Sequence, residues 1–504
     1  MSDLETKSTP NFKTAKHTTI ISDLHLCEAE PVHPKYPLWK KFKTKEFFFD
    51  HIFADFLIKI EKKAAGDSVE LILNGDIFDF DSVTKQPEYP LFSSSWTEKR
   101  HGLLPRADKS AFKIKVILDD HEEFITALRE FVIRGHRVVF ITGNHDLELH
   151  FPEVQKTIRD RLQLSSEQQE HIRFVEWFYI SNSDTLIEHG NQYDPYCVCE
   201  DPLTPFIRGY NFTSMKLPFG NQACRYITNA MGFFNPHVDT NYIMTLDQYV
   251  TVFLRYMVRA QPLIVFTWFF GALNTLWFTF KDRFAVTIKN PYRIEDKTEE
   301  VAKKSNSTPR MVRELKELFA EPASSRPFLV LQELWLDRAF LIMIGFFVAY
   351  QLMGIIRTIY SVSFFWMLIP MFLFFPFFLF YSKSVSSLVS GYKEPDDRIL
   401  ATASSITNVQ RIVFGHTHIV RHEMIGFVEH LNSGCWSPAF LDIECTKPID
   451  QKTFVWISET QEYSDDVSKK QATSHGPRKA EVFRFENGQI KPVFAISARQ
   501  RQKI

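Results

Sequence analysis

Five short polar clusters, rich in His, Asp and Asn, are the parts of this sequence best suited to chemistry. In chain order they read "DLH" (23–25), "GDIFD" (75–79), "GNHD" (143–146), "EHG" (188–190) and "GHTH" (415–418). Imidazole, carboxylate and amide oxygen together suit Mn, Fe or Zn, whereas a thiolate-selecting metal would need cysteine. The clusters therefore predict a metal centre.

These groups are more numerous than one ion requires. Three carboxylates, an amide and four or five imidazoles suit two ions that share a bridging carboxylate. Asp23 and His25 have the same parity on an extended chain, so we expect both side chains to reach one ion. His416 and His418 have the same spacing. One such cluster alone is more often a turn or a cap than a ligand set, but five in succession favour a site.

Each cluster follows a short β-branched run that is typical of a buried strand, as in "HTTIIS" before Asp23. Helical patterns lie between several of these runs, for example at 45–64 and 119–135. Alternating strands and helices predict a layered α/β domain, in which ligands bind at the carboxyl ends of the strands. The polar clusters lie at those ends.

Composition narrows the functional class. Lys and Arg number 59 against 60 Asp and Glu, so the basic footprint of a nucleic-acid binder is absent and we expect no nucleic-acid partner. The six cysteines are scattered, which favours reduced thiols over a disulfide framework. The polar N-terminus has no apolar core of a secretory signal, so we expect a cytoplasmic catalytic domain. Polar runs at 295–310 and 462–479 are predicted to be flexible.

Over about residues 17–200 and 400–495 the sequence resembles the calcineurin-like metallophosphoesterases, whose motifs run D-x-H, G-D-x-x-D, G-N-H-D/E, a lone His and G-H-x-H. The resemblance implies an α/β fold, a four-layer αββα sandwich, here with a large, mainly helical, hydrophobic insertion. It divides the chain into a first phosphoesterase part (1–200), the insertion (201–398) and a second phosphoesterase part (399–504).

The resemblance also implies two divalent ions, with Mn expected and Fe or Zn as alternatives. One ion would be held by Asp23, His25, Asp76 and His418. The other would be held by Asp76, Asn144, His189 and His416. The implied reaction is hydrolysis of a phosphoester or pyrophosphate bond by a metal-activated hydroxide. His145 would face the leaving-group oxygen, and Asp79 would orient it.

Within this superfamily, "HGNQYDP" after His189 is closer to bacterial relatives of UDP-2,3-diacylglucosamine pyrophosphatases than to protein phosphatases, which carry G-D-x-x-D-R-G and G-N-H-E. Those pyrophosphatases also insert a helical lid before the last motif. This chain departs from them in having His145 where they typically have Arg, and in its much longer insertion. The resemblance thus leaves the substrate itself open.

The insertion is strongly apolar. The chain has 49 Phe, concentrated between 206 and 381; 261–280 has no charged residue, and Arg357 is the only charge in 339–382. Runs of this length are candidates for membrane spans, although a buried helical cap is the alternative. We therefore expect membrane lipid as a partner and an amphiphilic, phosphate-containing substrate.

The ligands constrain the topology, because those before and after the insertion must meet on one side of any bilayer. Three apolar segments are visible (261–280, 339–356 and 358–382), so three simple spans are excluded. Two arrangements remain: a two-span hairpin with 261–280 in the interface, or no full span, with all segments dipping into one leaflet. We favour the second, because a lid has to stay on the catalytic side.

Two other functions fit parts of the sequence. If the insertion is only a cap, the protein is a soluble nucleotide or cyclic-nucleotide phosphodiesterase. If the phosphoesterase domain is inactive, the protein is a membrane scaffold, although every expected ligand position is filled here. The oligomeric state is left open.

Overall fold

Strand order determines where the polar clusters meet. The computed structural model describes residues 12–208, 213–233, 235, 246–285, 291–385, 389, 392, 394–449, 451–459 and 478–494. The strands within these residues are β1 His17–Ile21, β2 Val69–Asn74, β3 Arg137–Ile141, β4 Ile172–Val175, β5 Phe178–Ser181, β6 Thr185–Glu188, β7 Phe206–Arg208, β8 Thr213–Met215, β9 Arg411–Phe414, β10 Arg421–Ile425, β11 Val428–Asn432, β12 Thr453–Glu459, β13 Arg478–Glu486 and β14 Gln489–Pro492.

The strands form two large sheets and a two-stranded ribbon. The first sheet has the order β14-β13-β12-β1-β2-β3-β4, the second has the order β10-β11-β9-β6-β5, and the ribbon is β7-β8. β1 to β4 are parallel neighbours. β9 is parallel to both β6 and β11.

Helices cover both sheets and form most of the insertion. They are α1 Asp50–Lys63, α2 Trp96–His101, α3 Ala107–Asp120, α4 Glu122–Ile133, α5 Pro152–Leu162, α6 Ser166–Gln169, α7 Phe219–Ala223, α8 Asn229–Met231, α9 Leu246–Val252, α10 Val258–Ala260, α11 Ile264–Phe284, α12 Pro291–Lys304, α13 Pro309–Lys316, α14 Pro327–Glu333, α15 Leu336–Ile359, α16 Leu368–Ser384 and α17 Asp397–Thr407. Two π-helical turns, Cys224–Thr228 and Phe253–Met257, join α7 to α8 and α9 to α10.

The helices and sheets stack as four layers around three apolar cores. One core lies between the first sheet and helices that include α1 and α4, with Phe53 and Phe124 fully buried. The second core lies between the sheets and includes Ile72 and Val413. The third lies between the second sheet and α12, α13 and α17. The predicted mixed α/β sandwich with a helical insertion is confirmed.

Parallel register brings the polar clusters together. Ile21 at the end of β1 pairs with Leu73, and Asn74 at the end of β2 pairs with Ile141 at the end of β3. In the second sheet, Ile187 near the end of β6 pairs with Val413 near the end of β9. The loops that follow these strands therefore leave both sheets at their carboxyl edges, where we expected the site.

The prediction of a flexible run at 295–310 is wrong. These residues lie mainly in α12 and α13, and Val301 and Ala302 are 0 % and 2 % exposed beneath the second sheet. Lys297 and Lys304 each form an ion pair with Glu176, at 3.0 Å and 2.9 Å. The run is mostly polar because only one narrow face of these helices is buried. Nearly all of the other polar run, 462–479, lies outside the described residues.

Two strongly apolar helices, α15 and α16, form an antiparallel hairpin. Residues 360–363 and a short 3-10 turn connect the two helices. At the open end the Tyr381 hydroxyl donates to Asp337 Oδ2 at 2.8 Å, and Arg338 Nη2 donates to the Val385 carbonyl at 3.0 Å. The start of α15 and the end of α16 therefore lie next to each other.

Helix α11 has two contrasting faces. Gly271, Thr275 and Thr279 are buried, and they face α7 and the turn after it. Phe270 and Trp277 are 59 % and 66 % exposed on the opposite side of the helix. The segments 248–260 and 264–284 meet at an angle of 99°.

Candidate metal centre

The loops that carry the predicted ligands have unusual backbone angles. Asp23, His25, Asp76, His416 and His418 all lie in the left-handed region, with φ between 50° and 64°. Non-glycine residues rarely adopt this conformation, which costs free energy and often occurs at functional sites. The reason given for pairing Asp23 with His25 is therefore wrong: both residues have left-handed backbone angles, so they do not converge through the parity of an extended strand.

Two glycines allow these loops to approach one another. A side chain at Gly143 would place its Cβ 2.3 Å from Asp76 Oδ1, and one at Gly75 would place its Cβ 2.4 Å from the His189 ring. Gly75 also has a φ of 76°. Glycine is required at these two positions because any side chain would clash with the neighbouring loop, and not only because of turn geometry.

The first predicted ligand group converges on the end of β1. His418 Nε2 lies 3.2 Å from Asp23 Oδ1, and His25 Nε2 lies 3.9 Å from the same oxygen. His25 Nε2 also lies 4.0 Å from Asp76 Oδ2. These four residues come from three distant segments of the chain, and their donor atoms face one small volume.

The second group converges on the other side of Asp76. His189 Nε2 lies 3.1 Å from Asp76 Oδ2, and a ligand atom of His416 lies within 4.8 Å of both residues. His189 Nδ1 contacts the Asn74 carbonyl at 2.9 Å, so its Nε2 is directed at the site. Asp76 thus lies between both groups, as a bridging ligand would. Asn144 is buried in the loop after β3.

The buried polar atoms of this region fit metal ions. Asn144 Oδ1 is buried without a hydrogen-bond partner in the described part of the chain, and Asp23 Oδ1 and His189 Nε2 are buried facing other candidate ligands. Such atoms are costly to bury unless they bind something. Carboxylate, amide and imidazole donors suit Mn, Fe or Zn. The residues present therefore fit a two-ion centre.

His145 lies beside this centre with carboxylates behind it. Its Nδ1 is 3.5 Å from Asp79 Oδ1 and 3.7 Å from Asp81 Oδ2. Burial lowers the pKa of His145, but Asp76, Asp79 and Asp81 outweigh burial and raise that pKa to about 10. The neighbouring carboxylates therefore favour the protonated form of this imidazole.

Three residues near the site were missed by sequence reasoning. Asp194 Oδ2 lies 3.0 Å from His416 Nε2, as in the carboxylate–histidine pairs that orient metal ligands. Asp81 is the second carboxylate behind His145, and Asn221 of α7 contacts it. Asp81 could have been noticed as the next acidic residue in "GDIFDFD". Asp194 is the acidic residue of "HGNQYDP", which was used above only for the family resemblance, and Asn221 carries no comparable signal.

Comparison with known proteins agrees with this geometry. Residues 16–218 match the calcineurin-like phosphoesterase family. The match supports the calcineurin-like superfamily for the part of the chain that it covers. The matched span includes β1 to β8 and four of the five polar clusters, while "GHTH" lies beyond it. No curated protein matches the chain.

The phosphoesterase domain makes this chain a hydrolase that acts on phosphoester bonds. Members of the family depend on two metal ions, and the Asp and His groups described above could hold them. The scaffold interpretation stays an alternative, although every predicted ligand residue is present in this chain.

Replacing Asp76 tests the centre, because this carboxylate faces both ligand groups. Asp76→Ala should remove both metal equivalents and the phosphoesterase activity, and it should also remove the rise in Tm that metal produces in the native protein. Metal content by mass spectrometry and Tm with and without chelator provide the readout. Asp160→Ala, at an exposed carboxylate of α5, is the control and should retain both ions. Retention of two ions or of full turnover in Asp76→Ala would refute the site assignment.

Proposed function

We propose that this phosphoesterase hydrolyses the phosphoester or pyrophosphate bond of an amphiphilic substrate at a membrane surface. One observation carries the proposal: the short segment from α7 to α8 contacts α11 on one side and the His145 pocket on the other. The His145 pocket is formed by His145, Asp79, Asp81 and the Asn144 carbonyl. Because α11 exposes aromatic side chains on its far face, an apolar surface is only one helix away from the metal centre.

In this proposal, Asp23, His25, Asp76 and His418 would hold one ion, and Asp76, Asn144, His189 and His416 would hold the other, with Mn expected. When bound, such ions lower the pKa of water and neutralise charge on phosphoryl oxygens. His145 holds a proton for the departing oxygen. Asp79 keeps the imidazole aligned, since the Ser82 N–H and hydroxyl both donate to its carboxylate.

The role of His145 predicts a dependence on the leaving group. His145→Ala should retain both ions but lose turnover by roughly 10²–10⁴ on substrates whose leaving group needs a proton. The loss should shrink for nitrophenyl esters, whose leaving group needs none. A series of aryl phosphodiesters of graded leaving-group pKa measures this slope. Equal losses across the series would assign His145 to substrate positioning instead.

An apolar stripe on α11 supports an amphiphilic substrate. Phe266, Phe270 and Trp277 recur at helical spacing and are 59 %, 59 % and 66 % exposed. Transfer of such side chains from water into an apolar environment is favourable by about 1.5–3 kcal/mol each. A helix with one buried face and one aromatic face is suited to lie in a membrane interface. We propose that a polar head reaches the metal centre while acyl chains lie beside α11.

Removing two of these aromatic residues tests the substrate class. The double variant Phe270→Ser/Trp277→Ser should lose about tenfold or more of its activity on an acylated phosphodiester in vesicles. Its rate on a water-soluble aryl diester should be unchanged. Phe427→Ser, at a residue that is 68 % exposed in the β10–β11 turn, is the matched control. Equal loss on both substrates, or equal native efficiency on nucleotides and acylated substrates, would contradict the proposal.

For the topology we now propose the two-span hairpin. The segments Leu336–Ile359 and Phe364–Ser384 are long and apolar enough to cross a membrane, and their most apolar windows are only 11 % and 6 % buried in the protein. From Arg338 to Arg357 the helix rises about 29 Å, close to the roughly 30 Å of a hydrocarbon core. Tyr381 and Lys383 lie at the open end, and Tyr360 and Trp366 near the tip, where interfacial residues are expected.

This arrangement satisfies the ligand constraint, because the open end of a hairpin returns the chain to the side it left. The α11 stripe would then lie in the interface on that same side. We propose that the catalytic domain faces the cytoplasm, which is supported by the six cysteines, all of them free thiols.

Cysteine labelling distinguishes this topology from helices that dip into one leaflet. Ser361→Cys at the tip should react with a membrane-impermeant maleimide on intact spheroplasts. Ser166→Cys, exposed in the catalytic domain, should react only after permeabilisation. Labelling of the unsubstituted protein gives the background from the six native cysteines. Labelling of Ser361→Cys only after permeabilisation would exclude the two-span hairpin, and labelling of Ser166→Cys from outside would exclude a cytoplasmic domain.

A further inference from the structure

The insertion supplies one fully buried polar side chain to the His145 pocket. Asn221, on α7, is 0 % exposed. Its Nδ2 donates to Asp81 Oδ2 and also, at 2.6 Å, to the main-chain carbonyl of Asn144. Asn221 therefore contacts both the carboxylate behind His145 and the backbone immediately before it.

The two carboxylates behind His145 are fixed in different ways. Asp79 is held within its own loop, where the Ser82 N–H donates to Oδ1 at 3.0 Å. Asp81 Oδ2, which is 3.7 Å from His145 Nδ1, is the same oxygen that accepts from Asn221. One of the two carboxylates is therefore oriented by a residue from outside the phosphoesterase loops.

Helix α7 is itself fixed against α11. The Thr275 hydroxyl donates to the Gln222 carbonyl at 3.4 Å, and Gln222 Nε2 donates to Asp282 Oδ2 at 3.1 Å. A Cβ added at Gly271 of α11 would lie 2.6 Å from the Tyr226 carbonyl, so the backbones approach closely here. The position of Asn221 is thus set by the helix that carries the exposed aromatic stripe.

We propose that Asn221 is a positioning residue for the leaving-group step, which makes the insertion part of the catalytic apparatus as well as a lid. By holding Asp81 and the Asn144 carbonyl, the amide keeps the His145 ring directed at the departing oxygen. Without it, a buried carboxylate and a buried carbonyl each lose a donor, and both can move. This inference rests on the proposed role of His145.

The test is a double-mutant cycle across leaving groups. Asn221→Ala should retain both ions and lower kcat by about 10- to 100-fold on an alkyl-type ester, with a smaller loss on a nitrophenyl ester. In the His145→Ala background the same substitution should lower kcat by less than about twofold, because the group it positions is absent. A residue that only fixes the lid would not give this pattern.

Asn235→Ala is the matched control, since Asn235 is another buried asparagine of the insertion and donates to the Pro438 carbonyl. Any loss in that variant should be equal across leaving groups. A uniform loss in Asn221→Ala that is additive with His145→Ala would overturn the proposal. A uniform loss in the single His145→Ala variant would instead refute the role of His145, and the Asn221 proposal with it. If Asn221→Ala does not fold, Asp81→Asn provides the same test and should show the same dependence on the leaving group.

Discussion

The structure depends on burying several carboxylates and imidazoles together at one edge of two sheets. The His416 N–H donates to Asp23 Oδ2 at 3.1 Å across 393 residues of sequence. Such a contact can form only if the chain after the insertion returns to the carboxyl end of β1. The insertion can therefore be long and apolar, but both of its ends must lie on the same side of a membrane. The hairpin of α15 and α16, closed at its base by Asp337 and Tyr381, meets that constraint.

Much of the fold and of the site could be predicted from the sequence because strands end where their polar clusters begin. A buried strand has a short apolar run, and the residue types after it are those a metal needs. The parallel register that unites the ends of β1, β2 and β3 then follows from the fold. The sequence did not predict the local backbone geometry, in which both Asp23 and His25 have left-handed angles. The pattern of apolar and polar residues carries no information about such a backbone angle.

The missed features are those that depend on contacts between distant segments. Asn221 lies outside the five polar clusters, and its importance arises only when α7 docks beside Asp81. Residues 295–310 seemed flexible because buried positions such as Val301 are few, yet the second sheet needs just one narrow face. Part of the insertion thus completes the sandwich, and part contacts the metal centre. It is therefore integral to the phosphoesterase fold.

A density map of the purified protein with its metals and lipid retained, combined with anomalous scattering, tests the central claim most directly. We predict two metal peaks about 3.5–4 Å apart on either side of Asp76. One peak should lie among Asp23, His25 and His418, and the other should contact His189. A single peak, or an ion held instead by the neighbouring group of Asp194, Cys197 and His416, would contradict it.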